Sequence, residues 1–538
     1  MRAVVGLLVG MLTLGIGMAG TSHWCSPALA TVACVAEVKE APEHKGIVFE
    51  QFYLPCLSQA SYLIGDTKSG KAIVVDPERD IDKYIESAQK HGLKITHVFL
   101  THVHADFVAG HLELQRRTGA QVCMGSEAKA AFKFLPFKDG DKLTFDGLEV
   151  LAIHTPGHTP EAISLAIVDK QSATGGASDN AAPYAVLTGD ALFIGDVGRP
   201  DLLASSGYTD KQLAGMLYES LRSKLMKLDD AVLVYPAHGA GSLCGKNMST
   251  ETVSTIGEQK KTNYALQEME KDKFIALVTA DQPPAPKYFS YDAKLNMSKH
   301  PSLETVVAQK LKPLTREQLL RLKNGGAQIL DVREADDYAK VHFVDSLNIP
   351  LSGRFAGWAG AFLDREIPIV LIAPSGKEKQ AALRLGRVGF DNYSGFLSDA
   401  IDQLSLEEGT LVKAPRTDAQ QLESEVKGQT PPVVLDIRTK TERGEAQIAN
   451  SLFIPLIQMQ TNIADVLKQQ LADVPKDKEI VVYCATGFRS SLGASLLRQQ
   501  GFKNVSDLRG GITAWQKAGF PVQTGECAAA AKPALPPE

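Results

Sequence analysis

The sequence predicts a multidomain α/β protein, and three observations carry that prediction. Short apolar runs alternate with amphipathic segments from Ile47 onward, the pattern of strands layered with helices. At 538 residues the chain is too long for a single core and fits roughly two to four domains. Near its C-terminal end the chain repeats itself: Leu330-Asp331-Val332-Arg333 through Ser346-Leu347-Asn348-Ile349-Pro350-Leu351 aligns without a gap with Leu435-Asp436-Ile437-Arg438 through Ser451-Leu452-Phe453-Ile454-Pro455-Leu456. Self-similarity of this kind marks a duplicated domain.

Composition narrows the partners. The hydrophobic fraction is 44%, the charged fraction 22% and the formal net charge -5. These are the values of ordinary globular protein, and no basic stripe points to nucleic acid. Small molecules are the expected partners. At the N-terminus Arg2 precedes the apolar run from Ala3 to Ala19, and Pro27-Ala28-Leu29-Ala30 supplies small residues for a signal peptidase. Residues 1–30 are therefore expected to be an export signal, with a periplasmic mature protein; an uncleaved anchor is the competing reading. No other stretch is apolar enough to span a membrane. Of seven cysteines, Cys34, Cys56, Cys123, Cys244, Cys484 and Cys527 would remain after cleavage. They form no CxxC pairs, so neither a disulfide framework nor a zinc finger is indicated, and most read as small buried hydrophobes.

In chain order, residues 48–54, 60–64 and 72–75 read as strands, Asp76-Pro77 as a break and residues 81–91 as an amphipathic helix. Residues 95–100 form a strand that leads into Thr101-His102-Val103-His104-Ala105-Asp106-Phe107. That run puts several metal-ligand types on one loop at a strand's C-terminal end, where function concentrates. A helix over residues 108–118 and strands near 121–124, 148–153, 163–168, 185–187 and 232–235 follow. Three later strands also end in candidate ligands: His158 in His154-Thr155-Pro156-Gly157-His158-Thr159, Asp190 in Leu187-Thr188-Gly189-Asp190, and His238 in Tyr235-Pro236-Ala237-His238-Gly239.

This series of HxHxD, GHT, GD and AHG, within residues 45–280, resembles the metallo-β-lactamase superfamily and implies an αββα fold. Its dinuclear hydrolases, glyoxalase II among them, complete the first motif as HxHxDH. Here Phe107 stands in the last place, and an apolar ring cannot ligate, so a single-metal centre is expected. His111 lies four residues on and is expected to cap or pack locally. The branch most resembled is the persulfide dioxygenases. That resemblance implies one Fe(II) per chain held by His102, His158 and Asp190, with positions open for O2 and substrate. His104, Asp106 and His238 would then orient ligands or water, Asp106 counting among the catalytic groups; plain structural hydrogen bonding is the competing reading for all three. Gly195-Asp196-Val197-Gly198-Arg199-Pro200-Asp201-Leu202 resembles the family's GxGRxD segment. Arg199 would face an anionic substrate group, or else pair with Asp201.

Residues 281–312, with Gln282-Pro283-Pro284-Ala285-Pro286, read as a linker or covering arm, and Thr315-Arg316-Glu317-Gln318 has capping-box spacing. The repeated units, residues 313–410 and 416–525, resemble rhodanese-like α/β domains (sulfurtransferases). In the second, Cys484-Ala485-Thr486-Gly487-Phe488-Arg489 follows a strand and leads into a helix. Backbone amides and a helix N-terminus around the cysteine favour its thiolate. Arg489 adds positive charge, Thr486 and Gly487 line the loop, and a loop of six residues resembles those that hold a cysteine persulfide. The first copy has Ala373 in the corresponding place and without a thiol has no covalent carrier. Residues 526–538 read as a disordered tail.

The whole arrangement resembles bacterial fusions of a persulfide dioxygenase with rhodanese domains that work in sulfide detoxification. It implies oxidation of a low-molecular-weight thiol persulfide by O2 to sulfite and thiol, with Cys484 carrying sulfane sulfur and forming thiosulfate, in a homo-oligomer with no membrane span after cleavage. Two alternatives remain at this stage. One is a metal-dependent thioester hydrolase, for which zinc would serve; the other is a non-enzymatic sulfur carrier or sensor.

Overall fold

Residues 36–40, 44–171, 182–202, 207–282, 284–398, 401, 410–460 and 462–525 are described by this computed structural model. The export signal expected at 1–30 and the tail expected at 526–538 lie outside them. Among the described residues no helix is long and apolar enough to cross a membrane.

The first half is two sheets face to face with helices outside. One sheet has seven strands in sequential order, from Glu37–Glu40 to Leu135–Phe137. The other has six, from Lys142–Thr144 to Ser254–Thr255. Alternation along the strands sends one set of side chains between the sheets: Phe49, Tyr62, Ile64, Ile73, Val75 and Phe99 meet Val150, Ile163, Leu165, Ile167, Leu187 and Tyr235. The opposite faces are covered by helices. Tyr84 and Ala88 of helix Asp82–Lys90 and Leu112 and Leu114 of helix His111–Thr118 cover the first sheet. Leu213, Leu217 and Leu221 of helix Asp210–Ser223 are fully buried, and the last two pack with Val186 and Val234 of the second sheet. The architecture is αββα.

The two repeats form separate, mainly parallel sheets. The first copy stacks Leu347–Asn348, Gln328–Asp331, Ile369–Ile372 and Tyr393–Leu397 in that order. The second orders Arg416–Thr417, Val505–Leu508, Ile480–Tyr483, Val433–Asp436 and Leu452–Phe453. Their registers agree: Asp331 pairs with Ile372, and Asp436 pairs with Tyr483. Ala373 therefore occupies the place that Cys484 holds in the second copy.

Residues 281–312, expected as a linker or covering arm, contain two helices, Tyr288–Asn296 and Leu303–Lys310. Tyr288, Phe289, Ala293, Leu303 and Val306 are buried, so the segment has an apolar face of its own and packs as part of the core. The prolines before Tyr288 mask that periodicity in the sequence. Part-buried ion pairs join the first half to the first repeat: Arg79 bonds Asp391, and Arg387 bonds Asp80. Cys56 is disulfide-bonded, contrary to its expected role as a small buried hydrophobe; Cys123, Cys244 and Cys484 are free.

Candidate metal centre and cysteine loop

Both sheets deliver the candidate ligands from their strand ends. Strand Lys94–Phe99 ends just before the loop carrying His102, His104 and Asp106. His158 follows strand Leu148–His154, Asp190 follows Ala185–Gly189 and His238 follows Leu233–Pro236. All six are buried, at 5% exposure or less, so any charge on them must be met inside the protein.

Asp76 organises the first loop. It holds a left-handed φ of 50°, a conformation that aspartate tolerates better than most residues. Its Oδ1 accepts from the Thr101 N–H and its Oδ2 from the Thr101 hydroxyl, both at 2.8 Å, while its Oδ1 also lies 2.9 Å from His104 Nε2. With its proton directed at Asp76, the Thr101 oxygen can accept from His102 Nδ1, 3.0 Å away. His158 Nδ1 donates to the Arg199 carbonyl at 2.8 Å, and His238 Nδ1 to the Ser58 carbonyl at 3.1 Å. An imidazole that donates through Nδ1 presents the lone pair of Nε2. In all three histidines Nε2 faces Asp190: His102 and His158 stand 3.7 and 3.4 Å from Oδ2, and His238 stands 3.6 Å from Oδ1.

The electrostatics separate the two histidines of the loop. Burial, then the rings of His104, His158 and His238, keep His102 well below the ordinary histidine value, leaving a neutral ligand. Burial also opposes the cation on His104, but Asp76 outweighs it and raises His104. Because Asp76 takes Nε2 of His104, only Nδ1 remains for another partner.

His102, His158 and Asp190 form one group with ligand atoms within 4.8 Å of one another; His104, Asp106 and His238 form a second. Asp190, His238 and Cys244 form a third. His102 Nε2, His238 Nε2, Asp106 Oδ1 and both Asp190 oxygens have no hydrogen-bond partner. So many orphaned donor atoms converging in a buried place fit a cation, which would satisfy them together. Two imidazoles and one carboxylate leave coordination positions open, as a redox metal that binds O2 requires.

Close packing fixes this geometry at two glycines. Gly157 has a φ of 155° and a Cβ there would lie 2.6 Å from the Leu217 backbone; a Cβ on Gly198 would lie 2.0 Å from the Asp190 carbonyl oxygen. Asn296, in the supposed linker, holds the other side. Its Nδ2 donates to the carbonyls of His104 and Phe107 at 2.8 and 2.7 Å, and its Oδ1 accepts from the Ala109 N–H at 2.8 Å. The Val108 N–H donates to the Arg387 carbonyl of the first repeat at 2.7 Å. Phe107 is fully buried, its ring 4.4 Å from that of His104. His111 stays out of the three groups and packs on Phe132, 5.1 Å between ring centres.

Of the two roles expected of Arg199, the structure shows the pairing with Asp201. Its guanidinium bonds both Asp201 oxygens, at 2.8 and 2.6 Å, and the Leu243 carbonyl at 3.2 Å. Its contribution to the centre is the backbone carbonyl that orients His158.

Cys484 ends the buried strand Ile480–Tyr483 and is itself 1% exposed. The Gly487 N–H donates to its sulfur at 3.1 Å. Gly487 has a φ of 91° and a Cβ there would stand 2.9 Å from the Gly510 nitrogen, so glycine is required for the loop to turn into helix Phe488–Gln499. The thiol reaches Ser490 Oγ at 3.6 Å, and that hydroxyl donates to Asp507 at 3.1 Å. Thr486 is exposed at the loop's tip, whereas Gly487 is buried. Arg489 does not offer a free charge: Glu442 takes its Nη1 at 2.9 Å and its Nη2 at 2.5 Å. Burial would raise Glu442, but the bonds to Arg489 prevail and bring it down to about 2.

Asp76, Asn296, Cys244 and Glu442 were not recognised as site residues from the sequence. Only Asp76 had a usable signal, since it follows a strand end as His102 does.

Comparison with known proteins agrees with the fold of each part. The family described as metallo-beta-lactamase superfamily matches residues 54–172, and the rhodanese-like domain family matches residues 315–405 and 418–518. The human mitochondrial persulfide dioxygenase ETHE1 is 26% identical over 252 residues, covering 47% of this chain and 88% of that protein. A sulfurtransferase of Allochromatium vinosum is 31% identical over 109 residues, covering 20% of this chain and 94% of that protein. The crystal structure of a metallo-beta-lactamase from Staphylococcus aureus has a TM-score of 0.58 at 31% identity, covering 66% of this chain and 99% of that one.

Proposed function

Because the chain belongs to the metallo-β-lactamase superfamily and carries two rhodanese-like domains, we propose that it oxidises a low-molecular-weight thiol persulfide to sulfite and thiol. The reaction takes place at one Fe(II) held by His102, His158 and Asp190, and Cys484 handles sulfane sulfur. The observation that carries this reading is the convergence of His102, His158 and the unpartnered Asp190 carboxylate in a chain that also buries a cysteine in a rhodanese-type loop. The similarity to persulfide dioxygenase over nearly half the chain supports it.

Held by His102, His158 and Asp190, an Fe(II) would supply open positions for O2 and the persulfide and the redox chemistry that joins them. The chain's residues do the rest. Asp76, Ser58 and the Arg199 carbonyl orient the imidazoles, burial excludes water, and Phe107 fills the place of a further ligand. At Cys484 the chemistry balances without an added oxidant. A sulfite lone pair attacks the outer sulfur of Cys484–S–S⁻, a new S–S bond forms, and the old one breaks with its electrons on Sγ. The products are thiosulfate and the Cys484 thiolate. The Gly487 N–H, aimed at Sγ, stabilises that leaving thiolate.

A second reading has one observation in its favour. Asp190 points Oδ1 at His238 while Oδ2 faces His102 and His158, the disposition of a carboxylate bridging two metals, as a zinc-dependent thioester hydrolase would need. Metal analysis combined with O2 uptake on a defined persulfide separates the two. One iron per chain with O2 consumption is expected; two zincs with thioester cleavage would overturn the oxygenase reading. Export of the mature protein rests on residues 1–30 alone, and N-terminal sequencing of the mature chain tests it.

A further inference from the structure

The first repeat lacks a thiol at Ala373, yet one of its loops lies between the two reactive centres. Arg354 sits at the end of that loop, just before helix Phe355–Phe362. On one side the loop meets the metal domain: a Cβ on Gly241, three residues after His238, would lie 3.0 Å from Arg354 Nη1 and 3.2 Å from Ser58 Oγ. Ser58 is the residue whose carbonyl orients His238. On the other side it meets the persulfide loop: a Cβ on Gly353 would lie 3.5 Å from the ring of Phe488, the residue after Gly487. The loop is held rigidly, because the buried Arg384 donates to the carbonyls of Leu351 and Gly353.

The Arg354 side chain has no hydrogen bond or ion pair with any described residue. It is solvent-exposed and stands beside Gly241 of the metal domain. Tyr53 and Tyr288 lie within electrostatic reach on the metal side and Arg489 on the sulfur side. Tyr288 in turn feels Asp106 and Cys244, and Arg489 feels Cys484. Since Glu442 pairs with Arg489, Arg354 is left to meet an anion, and a guanidinium with no partner among the described residues can bind one through two parallel hydrogen bonds.

We propose that Arg354 binds sulfite on its way from the metal centre to the Cys484 persulfide, which gives the thiol-less repeat a role in coupling the two reactions. The inference rests on the function proposed above for the origin of the sulfite, but not for its binding. Sulfite presents three oxygens to a planar guanidinium, which can hold two of them and leave the sulfur lone pair free to attack.

The test uses full-length wild type, Arg354→Gln and Arg354→Lys. With sulfite added as acceptor and Cys484 preloaded with sulfane sulfur, Arg354→Gln is expected to raise the KM for sulfite about tenfold with kcat little changed, and Arg354→Lys to recover part of the loss. With persulfide and O2, Arg354→Gln is expected to release more free sulfite and less thiosulfate at unchanged O2 uptake. An unchanged sulfite KM, a fall in kcat alone, or a raised KM for the persulfide instead of sulfite would each overturn the proposal. Should the wild type take up no O2 with persulfide, the oxygenase reading falls, while the sulfite KM still decides the role of Arg354.

Discussion

Arg79 and Asp391 meet in a two-pronged ion pair, Nη1 to Oδ1 at 2.7 Å and Nη2 to Oδ2 at 2.8 Å, across the boundary between the metal domain and the first repeat. Arg79 also reaches Glu113 and the carbonyls of Gly386 and Pro301. Its side chain has no exposed surface. Removing it takes the main partner from the half-buried Asp391 and leaves the buried Glu113 and two carbonyls short of a donor. Arg79→Ala is expected to cost about 3–5 kcal/mol, read in denaturant unfolding; a loss within the range of a surface pair would show that the boundary does not depend on this residue.

Asn296 links the supposed linker to the metal loop by three hydrogen bonds. Asn296→Ala leaves the Ala109 N–H and two carbonyls without partners, at a cost of roughly 1–3 kcal/mol. The loop's order is expected to suffer with it. Purified variant should hold less metal than wild type while retaining its far-ultraviolet dichroism; full metal content would deny the residue a part in shaping the centre.

The two centres should fail independently. His158→Ala is expected to lose bound iron and O2 uptake yet keep sulfur transfer through Cys484. Cys484→Ser is expected to do the reverse, consuming O2 and persulfide while thiosulfate gives way to free sulfite. Undiminished thiosulfate from Cys484→Ser would remove that cysteine from the scheme.

Phe107 occupies the position of a ligand in the dinuclear relatives of this fold, and its ring lies against His104. With Asp106, His238 and one oxygen of Asp190 already gathered, Phe107→His is expected to raise the metal content above about one equivalent per chain. Metal analysis after exhaustive dialysis checks it; no increase would mean that more than this side chain sets the stoichiometry.

Glu442 and Arg489 give the second rhodanese-like domain an acid-sensitive contact. The folded Glu442 lies at about 2, below its ordinary value of 4.5, so the pair contributes fully above the ordinary value and is lost as the pH falls toward the folded one. Glu442→Gln keeps the capping hydrogen bonds and removes the charge. The stability gap between wild type and variant should shrink to nothing on acidification through that window. A gap independent of pH would contradict the assignment.

Much of the candidate site was legible before any coordinates. His102, His158 and Asp190 each follow a strand end, and strand ends are readable from local hydropathy, so their convergence followed once the strands were placed in two facing sheets. Cys484 and its missing counterpart Ala373 were legible because duplication sets one copy against the other. What stayed hidden were partners remote in the chain: the Leu243 carbonyl that holds Arg199 beside its expected alternative Asp201, and Glu442, which pairs with the positive charge of Arg489.

The sequence by itself determined the kinds of donor atom available, the strand ends that carry them, the duplicated C-terminal domain and the single thiol suited to carry sulfur. These depend on residue type and short-range periodicity. The tertiary structure decided which side chains remain free to act. It placed Asn296 under the metal loop, tied Arg489 to Glu442 and left Arg354 beside Gly241 without a partner among the described residues. A hydrogen bond or ion pair between residues far apart in the chain leaves no local pattern, because packing, and not spacing, brings its members together.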